Sequence, residues 1–437
     1  MEDRLGWTRA VPDSLGRWPE WTRFAAAVRR DGLDRVLLCG MGGSALAPAV
    51  LTRSFATVGL DVLDSTDPAA VAAAEQAHPV DRTLFLIVSK SGSTVETLAA
   101  YHYFAARARP SQFVAVTDPG SPLERLARER GFRSVFPHPV DVGGRYAALT
   151  VVGMLPAALA GIDGGTLLER ARTTDVAAAQ ELGRTLAAAA AAGRDKLALE
   201  PPAPVAALAG WIEQLVAESS GKNGAGVVPL VGGGNGGGRD VQVVREFSHD
   251  PLDLGREFLR WEYATWELCR ALGVNAFDQP DVEEAKQLAR AELAASPDSA
   301  PEMPRTLSLA ELRRAARPGD YLAILAYVPP GAELERALTG IRRAWGSALG
   351  VVTTAAFGPR YLHSTGQLHK GGPNTGLFLV VTSDPVQDLE IPAMHTTFAR
   401  LERAQAIGDI RALLARGRRV CHHHLRRPED VVELERV

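Results

Sequence analysis

Short runs of consecutive apolar residues recur along the first third of the chain, separated by longer alanine-rich stretches. The runs occupy residues 35–40, 84–88 and 113–117, and helical patterns follow them at 44–55, at 93–108 and from about Pro122. Continuous apolar strands separated by helices are typical of parallel sheets whose two faces are both covered by helices. The pattern therefore predicts an α/β fold with a doubly wound domain at the start of the chain.

The second half of the chain carries a similar alternation of strand-like and helical segments. We expect strands at 205–209, 241–244, 321–328 and 350–354, and helices at 165–192, 211–219, 255–272 and 332–345. This alternation again indicates an α/β arrangement with mainly parallel strands. The sequence thus predicts two domains, residues 1–165 and 166–437, the second with connecting helices and a C-terminal helical tract from residue 411.

Three stretches depart from this pattern. The glycine run at 232–238 is too dense in glycine for a helix or strand, and three prolines at 296–304 favour an exposed excursion. His422, His423 and His424 are adjacent in the C-terminal tract. Adjacent histidines cannot converge on one metal ion without an unusual backbone, so we expect a solvated helix end there and no metal site.

Composition and charge narrow the classes of function. The 437 residues include 48 Lys and Arg against 51 Asp and Glu, which gives a formal net charge of -3. Because binding to a phosphate backbone needs a concentrated cationic face, we expect no nucleic-acid partner. The three cysteines are widely spaced, which argues against a disulfide framework and against a zinc site.

Two features bear on cellular location. The residues after Met1 are charged (Glu2, Asp3, Arg4) where a signal peptide has an apolar run. The apolar run at 146–162 is short for a membrane span and contains Pro156, which favours a buried core helix. We therefore expect a cytoplasmic protein with no membrane partner.

A glycine-rich turn joins the first predicted strand to its helix. Gly40-Met41-Gly42-Gly43-Ser44 lets the backbone approach a ligand closely, and the helix that it opens offers free N–H groups to an anion. The frame Gly40-x-Gly42-x-x-Ala45 is also close to a dinucleotide fingerprint, for which Asp61 or Asp64 would supply the acidic residue. The turn alone leaves a nucleotide, a phosphosugar and an ordinary tight turn open.

A second polar loop follows the next predicted strand and helps to distinguish these alternatives. Ser89-Lys90-Ser91-Gly92-Ser93-Thr94 supplies four hydroxyls, one glycine and one cation at the start of a helix. Such donors favour a phosphomonoester, since the loop lacks the Gly-Lys pattern of a triphosphate site. The ordinary alternative is a capping box in which Ser91 or Ser93 caps the helix together with Glu96. One hydroxyl would satisfy that role, so four hydroxyls favour a phosphate cradle.

These two loops resemble the sugar isomerase (SIS) domains of the phosphoglucose isomerase family. The resemblance continues at Val142-Gly143-Gly144-Arg145-Tyr146-Ala147-Ala148-Leu149-Thr150, from Trp211 to Lys222, and at Phe277-Asp278-Gln279-Pro280. These blocks cover both halves of the chain in the family order. The chain looks most like the isomerase part of bacterial fusions with transaldolase. Because so little chain precedes Arg35, we expect the isomerase without a transaldolase barrel.

The resemblance implies an aldose–ketose isomerase that interconverts glucose 6-phosphate and fructose 6-phosphate through an enediolate. Glu218 matches the general base of the family, and Arg145 matches the arginine that stabilises the enediolate. Gln214 precedes Glu218 by four residues, which places both side chains on one helix face. The implied substrate-binding residues are Gly43, Ser44, Ser89, Lys90, Ser91, Ser93, Thr94, Gly144 and Gln214.

Two further catalytic roles follow from the resemblance alone. Lys370, in the motif from Leu362 to Pro373, matches the family lysine near the ring oxygen. His249 is the candidate for the histidine that opens the sugar ring, a group that the family takes from a neighbouring subunit, and His369 is the substitute. The resemblance implies a homodimer that works without a metal or an organic cofactor.

Three alternatives stay open. The phosphate cradle and the general base do not define the configuration at C2 of the sugar. A related substrate such as mannose 6-phosphate is therefore compatible with them. A phosphosugar-binding protein without catalysis is favoured by the shortened region at 232–238 and disfavoured by the combination of Glu218, Arg145 and Lys370. A nicotinamide-dependent dehydrogenase is the most distant alternative.

Overall fold

A five-stranded parallel sheet forms the centre of the first half of the protein. The computed structural model describes residues 4–232, 238–294 and 303–436. The strands are β1 (Arg35–Gly40), β2 (Leu60–Leu63), β3 (Thr83–Val88), β4 (Phe113–Thr117) and β5 (Ser134–Pro137). Their spatial order is β2-β1-β3-β4-β5, and each neighbouring pair is parallel.

Helices cover both faces of this sheet. Successive side chains of a strand point to opposite faces, and β1 shows the result: Val36 and Leu38 belong to one buried cluster, Leu37 and Cys39 to another. The doubly wound arrangement predicted for this region is therefore confirmed. The helices are α1 (Ala10–Arg30), α2 (Gly43–Ser54), α3 (Pro68–Ala77), α4 (Val95–Ala105), α5 (Pro122–Arg130) and α6 (Val151–Ala160).

The second half begins with two helices and a three-stranded parallel sheet. The helices are α7 (Gly164–Ala171) and α8 (Val176–Ala191), and α9 (Leu208–Ser220) follows the first strand. The strands β6 (Lys196–Leu199), β7 (Val228–Val231) and β8 (Val241–Val244) lie in the order β7-β6-β8. Three further helices follow: α10 (Leu254–Ala271), α11 (Pro280–Ala294) and α12 (Leu309–Arg314).

A four-stranded parallel sheet completes the second half. Its strands are β9 (Tyr321–Tyr327), β10 (Val352–Phe357), β11 (Gly376–Ser383) and β14 (Arg419–Leu425), in the order β10-β9-β11-β14. A small antiparallel pair consists of β12 (Glu390–Ile391) and β13 (Thr396–Thr397). The remaining helices are α13 (Ala332–Leu349), α14 (Gly366–Gly371) and α15 (Phe398–Ala415).

Parallel sheets flanked by helices confirm the predicted α/β class, whereas the domain division stays a prediction. The proposed boundary between residues 165 and 166 falls inside α7. Two of the predicted irregular stretches largely lie outside the described residues, because residues 233–237 of the glycine run and residues 295–302 of the proline-rich stretch are not described.

The strand predicted at 205–209 is wrong. The chain there forms a short 3-10 helix (Ala203–Val205) and then the start of α9, and the preceding strand is β6. Val205, Leu208, Ala209 and Ile212 are all buried. Their spacing is that of one helix face, so a short apolar run was mistaken for a strand when it was the buried start of a helix.

The helix end predicted around the three histidines, and with it the continuous C-terminal helical tract, is also wrong. Helix α15 ends at Ala415, and the histidines lie in strand β14, paired with β11. His422 Nε2 and His424 Nδ1 lie 2.8 and 2.9 Å from Thr382 Oγ1 on β11. Burial lowers the pKa of His422 to about 4. Residues two apart share a strand face, which explains why these two histidines meet one threonine.

The apolar run at 146–162 supplies helix α6, whose residues from Val151 to Leu159 are all buried. In the described ranges, no helix is both long enough and apolar enough to cross a membrane. The three cysteines (Cys39, Cys269, Cys421) are buried and unbonded.

Glu262 on α10 gives the fold a specific dependence on pH. Its side chain is fully buried, and neither carboxyl oxygen has a hydrogen-bond partner among the described residues. Burial raises the pKa of Glu262 well above its ordinary value of 4.5. The folded protein therefore holds the acid protonated where the unfolded chain would ionise it. Each pH unit above that ordinary value costs about 1.4 kcal/mol of stability until the folded-state pKa is reached.

We expect Glu262→Gln to remove this cost, because the amide cannot ionise in the unfolded chain. The variant should unfold at higher urea concentration than the wild type at about pH 8 and match it at about pH 5. Urea unfolding at both pH values measures this difference. Equal pH dependence of the two proteins would contradict the assignment.

Candidate active site

The strand order β2-β1-β3-β4-β5 places two loops beside each other at one edge of the first sheet. Strand β2 lies on one side of β1, and β3 lies on the other side. The loop after β1 therefore leads towards one side of the sheet, and the loop after the neighbouring β3 leads towards the other side. A crevice forms at such a switch point, at the carboxyl ends of the strands, and ligands bind there in open α/β sheets. The glycine turn follows β1, and the hydroxyl-rich loop follows β3.

The glycine turn is packed against other parts of the protein. Gly42 has a φ of 55°, and a Cβ at this position would lie 2.6 Å from the carbonyl oxygen of His363 and 2.8 Å from Nε2 of Gln214. A Cβ at Gly43 would overlap the carbonyl of Gly144. Side chains are therefore excluded at both positions. Protein atoms occupy the space beside the turn that a dinucleotide would need for a close approach to the backbone. This packing disfavours the nucleotide alternative.

The hydroxyls of the second loop are organised among themselves. Ser89 Oγ lies 2.9 Å from Thr94 Oγ1 and accepts a hydrogen bond from Gly92 N at 3.1 Å. Ser93 Oγ donates to Ser91 Oγ at 3.1 Å. Thr94 is the N-cap residue of α4, and its side chain makes no capping hydrogen bond. The capping box, the alternative to a phosphate cradle, is therefore absent at this helix start, and the loop keeps its hydroxyls and the first N–H groups of α4 at the crevice.

Lys90 supplies the cation of this loop. Its Nζ lies 2.6 Å from Asp118 Oδ2, and both side chains are about a quarter exposed. Burial acts to raise the pKa of Asp118. Hydrogen bonds from His138 and Lys90 outweigh this effect and hold the pKa below its ordinary value. The ionised Asp118 tethers the lysine at the rim of the crevice. Lys90 Nζ also lies 3.4 Å from the Val140 carbonyl oxygen, which leaves one of its three donor positions for solvent or a ligand.

Arg145 and Glu218 form a buried ion pair at the other wall of the crevice. Arg145 Nη1 donates to Glu218 Oε1 at 2.9 Å, and the two side chains are 2% and 6% exposed. Arg145 Nε donates to Ser219 Oγ at 2.8 Å, and Nη2 donates to the carbonyl oxygen of Ala276 at 2.5 Å. Each nitrogen of the guanidinium thus has a protein partner, an arrangement that a lysine could not reproduce. The carbonyl of Asp278, 3.4 Å from Nη2, explains why the 277–280 block accompanies Arg145.

Gln214 completes the environment of the carboxylate. Its Nε2 donates to Glu218 Oε2 at 2.8 Å and to the carbonyl oxygen of His363 at 2.9 Å. The prediction that Gln214 and Glu218 share one face of α9 is therefore confirmed. Since each carboxylate oxygen accepts one hydrogen bond, the plane of Glu218 is fixed while further lone pairs stay open to a ligand.

The glycine turn, the hydroxyl loop and the ion pair line one cleft with a volume of 490 Å³. Ser44, Lys90, Thr94, Arg145, Glu218 and His363 are among its lining residues. An adjoining cavity of 260 Å³ is lined by Ser91, Ser93, Glu96, His363, Lys370 and Gln405. The two cavities share Ser91, Thr94 and His363, so the hydroxyl loop and His363 separate them.

Lys370 lies in the adjoining cavity and not among the residues that line the cleft. Its Nζ is ion-paired with Asp409 Oδ1, both side chains are 1% exposed, and the carbonyl oxygen of Gly366 lies 3.3 Å away. Tyr361 donates to the other oxygen of Asp409 at 2.6 Å. The structure therefore brings Lys370 near the cleft without joining it to the Arg145–Glu218 pair.

Neither histidine predicted from the sequence lines the cleft. His249 is exposed, between β8 and a short 3-10 helix (Pro251–Asp253). His369 is buried, and its Nδ1 lies 3.1 Å from the hydroxyl of Tyr321. Burial and the neighbouring Lys370 hold the pKa of His369 well below its ordinary value.

Among the described residues, the histidine that lines the cleft is His363. Sequence reasoning missed it although it lies in the same motif as Lys370. The available signal was Glu96, a buried carboxylate in the first turn of α4, for which a cationic or hydrogen-bonding partner had to exist elsewhere in the chain.

A doubly wound fold with hydroxyl-rich and glycine-rich loops at its switch point, facing a buried guanidinium–carboxylate pair, is typical of an SIS-type fold. The family model of phosphoglucose isomerase matches residues 20–177. This segment of the chain is therefore similar to the phosphoglucose isomerase family.

Curated relatives named glucose-6-phosphate isomerase are similar to parts of this chain. Glucose-6-phosphate isomerase of Thermosynechococcus vestitus is 42% identical over 154 residues, which is 32% of this chain and 29% of the relative. The Thermus thermophilus enzyme of the same name is 35% identical over 201 residues, 42% of this chain and 48% of the relative. The Rubrobacter xylanophilus enzyme is 31% identical over 262 residues, 52% and 60% respectively. The chain thus matches less than two thirds of the length of each relative.

The crystal structure of a glucose-6-phosphate isomerase from Chlamydia trachomatis shares the fold. Its TM-score is 0.54 at 18% sequence identity, over 66% of this chain and 75% of that chain. This likeness bears on the fold alone.

Proposed function

We propose that this protein interconverts glucose 6-phosphate and fructose 6-phosphate by moving a proton between C1 and C2 of the open-chain sugar. The observation that carries the proposal is the buried Arg145–Glu218 pair in the same cleft as the phosphate-type loops. The name glucose-6-phosphate isomerase, which the matched relatives carry, supports the same reaction.

The phosphate group is assigned to the loop from Ser89 to Thr94, with Ser44 and Lys90 beside it. Hydroxyl donors, the N–H groups at the start of α4 and one cation complement a phosphate dianion. The internal hydrogen bonds of the loop support this role, because they hold the hydroxyls in place before the ligand arrives.

The reacting carbons are assigned to the wall formed by Glu218 and Arg145. Glu218 would take the C2 proton of the aldose as general base and return it to C1. The electron pair of the broken C–H bond forms the enediolate, whose negative oxygen the Arg145 guanidinium would stabilise. Gln214 and Gly144 would position the hydroxyls of the sugar. Charges that are fixed before the reaction need no reorganisation when the enediolate develops, which favours this arrangement over mobile surface groups.

Several finer roles stay predictions from resemblance. Lys370 is proposed to act near the ring oxygen from the adjoining cavity. His249 is exposed and outside the cleft of its own chain, so a ring-opening role for it would require a second copy in the predicted homodimer. A cytoplasmic location is proposed on the same basis.

The test is formation of fructose 6-phosphate from glucose 6-phosphate by the purified full chain, with mannose 6-phosphate as the comparison substrate. We expect turnover of glucose 6-phosphate and a much lower rate with mannose 6-phosphate. A folded sample that binds glucose 6-phosphate without turnover would support a non-catalytic phosphosugar-binding protein instead. Preference for mannose 6-phosphate would reassign the substrate.

A further inference from the structure

The four-stranded sheet repeats the strand order of the five-stranded sheet. In the order β10-β9-β11-β14, the chain continues from β9 to β10 on one side and from β11 to β14 on the other side. The loops after the neighbouring strands β9 and β11 therefore lead in opposite directions, as the loops after β1 and β3 do. A crevice suited to a ligand forms at such a point, outside the carboxyl ends of the strands.

A cavity of 470 Å³, hereafter the sheet-edge cavity, lies at this point of the second sheet. Its wall includes Tyr327 at the end of β9, Thr382 and Ser383 at the end of β11, and His424 near the end of β14. Its described lining residues differ from those of the cleft and of the adjoining cavity. The volume is in the range of small-molecule sites, about 300–1,000 Å³. The sheet-edge cavity is thus a separate space in which a small ligand fits.

Three carboxyl groups from distant segments line the sheet-edge cavity: Asp67, Asp388 and Glu402. Asp67 Oδ1 accepts hydrogen bonds from two N–H groups at the start of α3, and Asp388 Oδ1 accepts from two further backbone N–H groups. Glu402 Oε1 is buried and has no hydrogen-bond partner among the described residues. Burial, together with the charges of Asp67 and Asp388, raises the pKa of Glu402 well above its ordinary value. Glu402 therefore favours its protonated form unless a cation lies beside it.

Two arginines also line the sheet-edge cavity, but neither compensates these carboxyl groups. Arg400 Nη2 donates to the carbonyl oxygen of Leu293 at 3.2 Å, and Arg403 is exposed. No arginine is among the groups that shift the pKa of Glu402. The arginines therefore leave the buried carboxyl group without a counter-charge.

The remaining titratable groups of the wall do not supply a cation either. Burial lowers the pKa of His422 to about 4, so its ring is neutral at pH values near 7. His424 Nε2 lies 3.3 Å from the exposed Asp384, and Glu292 is ion-paired with Arg411. The environment of Glu402 thus keeps an excess of acidic groups, which favours a cationic ligand.

The donor geometry favours an ammonium group over a metal ion. In the part of the chain that the structure describes, no group of three or more His, Cys, Asp or Glu side chains could hold a metal ion. An ammonium group carries three N–H donors, and each ionised carboxylate oxygen has lone pairs that accept them. A buried charge needs both an opposite charge and hydrogen bonds, and Glu402 with Asp67 and Asp388 offers both.

We propose that the sheet-edge cavity binds a small organic cation through a primary ammonium group, which Glu402, Asp67 and Asp388 hold. The inference does not depend on the proposed isomerase function, because the cavity is separate from the cleft. On binding, Glu402 loses its proton to solvent, and the N–H groups of the ligand donate to the carboxylate formed. Binding should therefore tighten as the pH rises, as long as the ligand itself stays protonated.

Titration calorimetry of the full chain with n-butylammonium tests the site, with the uncharged n-butanol as the comparison. We expect n-butylammonium to bind with release of a proton, measured at about pH 7 in two buffers of different ionisation enthalpy, and n-butanol not to bind. Glu402→Gln should weaken the binding about 10-fold or more, in the range of a lost hydrogen bond to a charged group, and should abolish the proton release. Glu390→Gln is the matched control, since Glu390 is exposed on β12 and does not line the cavity.

Several results would overturn the proposal. Absence of n-butylammonium binding, equal affinity of the wild type and Glu402→Gln, or proton release that persists in Glu402→Gln would each refute the site. Competition by glucose 6-phosphate would place the amine in the cleft, and binding of Mg²⁺ in place of the amine would show a site for an inorganic cation. None of these results bears on whether the protein isomerises glucose 6-phosphate, which its own assay measures.

The fold of the variant can be checked independently. Glu402→Gln replaces a protonated acid by a neutral amide of the same shape, so its thermal unfolding at neutral pH should match that of the wild type. If this variant unfolds at a lower temperature, Asp388→Asn takes its place, because the amide oxygen can still accept the two backbone hydrogen bonds. We expect Asp388→Asn to weaken n-butylammonium binding as well, and unchanged affinity in this folded variant would contradict the proposed site.

Discussion

Glu218→Gln is expected to lower kcat for glucose 6-phosphate isomerisation by about 1,000-fold or more, as expected for loss of a general base. The amide cannot accept the C2 proton at neutral pH, and the structure shows no second carboxylate against Arg145 within the described residues. Substrate should still bind, because the proposed phosphate ligands of the Ser89–Thr94 loop are unchanged by this substitution. Steady-state kinetics and a binding titration with glucose 6-phosphate measure the two effects separately.

The fold should survive this substitution. The new amide oxygen can still accept from Arg145, and its NH₂ group would face Gln214. Gln214 Oε1 has no hydrogen-bond partner among the described residues, so a rotation of the Gln214 amide turns an acceptor towards the new donor. This rotation gives up the hydrogen bond from Gln214 Nε2 to the His363 carbonyl, which costs about 1 kcal/mol. A large loss of thermal stability would therefore contradict the hydrogen-bond arrangement described for α9.

Glu213→Gln is the matched control. Glu213 lies on the same helix but lines a different cavity, with Arg342 and Arg360. Its change should leave kcat close to that of the wild type. If Glu218→Gln kept comparable activity, Glu218 would not be the base.

Arg145→Lys is expected to lower kcat by about 100-fold even though the positive charge is kept, a loss typical of one missing oxyanion donor. A single ammonium nitrogen cannot contact Glu218, Ser219 and the Ala276 carbonyl at once, as the guanidinium does. The enediolate would then meet a cation that is displaced or mobile. Michaelis–Menten kinetics with glucose 6-phosphate test this expectation.

The same substitution should also destabilise the fold. Acceptors left without a donor in a buried position cost roughly 1–3 kcal/mol. Urea unfolding measures this, with Arg172→Lys as the control, because Arg172 forms a comparable but exposed pair with Glu169. Wild-type kinetics in Arg145→Lys would show that a positive charge alone suffices for catalysis and that the guanidinium contacts with Glu218, Ser219 and the Ala276 carbonyl are not needed.

Much of the first half was predictable from the sequence because its signals are local. Continuous apolar runs identified β1, β3 and β4, and the loops after β1 and β3 had to meet because parallel strands present their ends at one edge. The four-residue spacing of Gln214 and Glu218 gave their shared helix face. These features depend on periodicity and strand order, which a single sequence carries.

The missed features depend on contacts between distant segments. Strands β2 and β5 are short and contain polar or proline residues, and β14 carries three histidines, so none has the apolar pattern of a buried strand. His363 became a candidate only when the fold placed it against Glu96, 267 residues earlier in the chain. No local pattern encodes such a pairing.

The turn at Gly42 and Gly43 has a consequence for the order in which the site is assembled during synthesis. This turn is made near the start of the chain, yet it is enclosed by Gly144, Gln214 and His363, which are added progressively later. Protein domains fold from the N-terminus as they leave the ribosome. The proposed phosphate-binding loops are thus synthesised long before Gln214 and His363, and the proposed proton transfer would need residues that are translated much later.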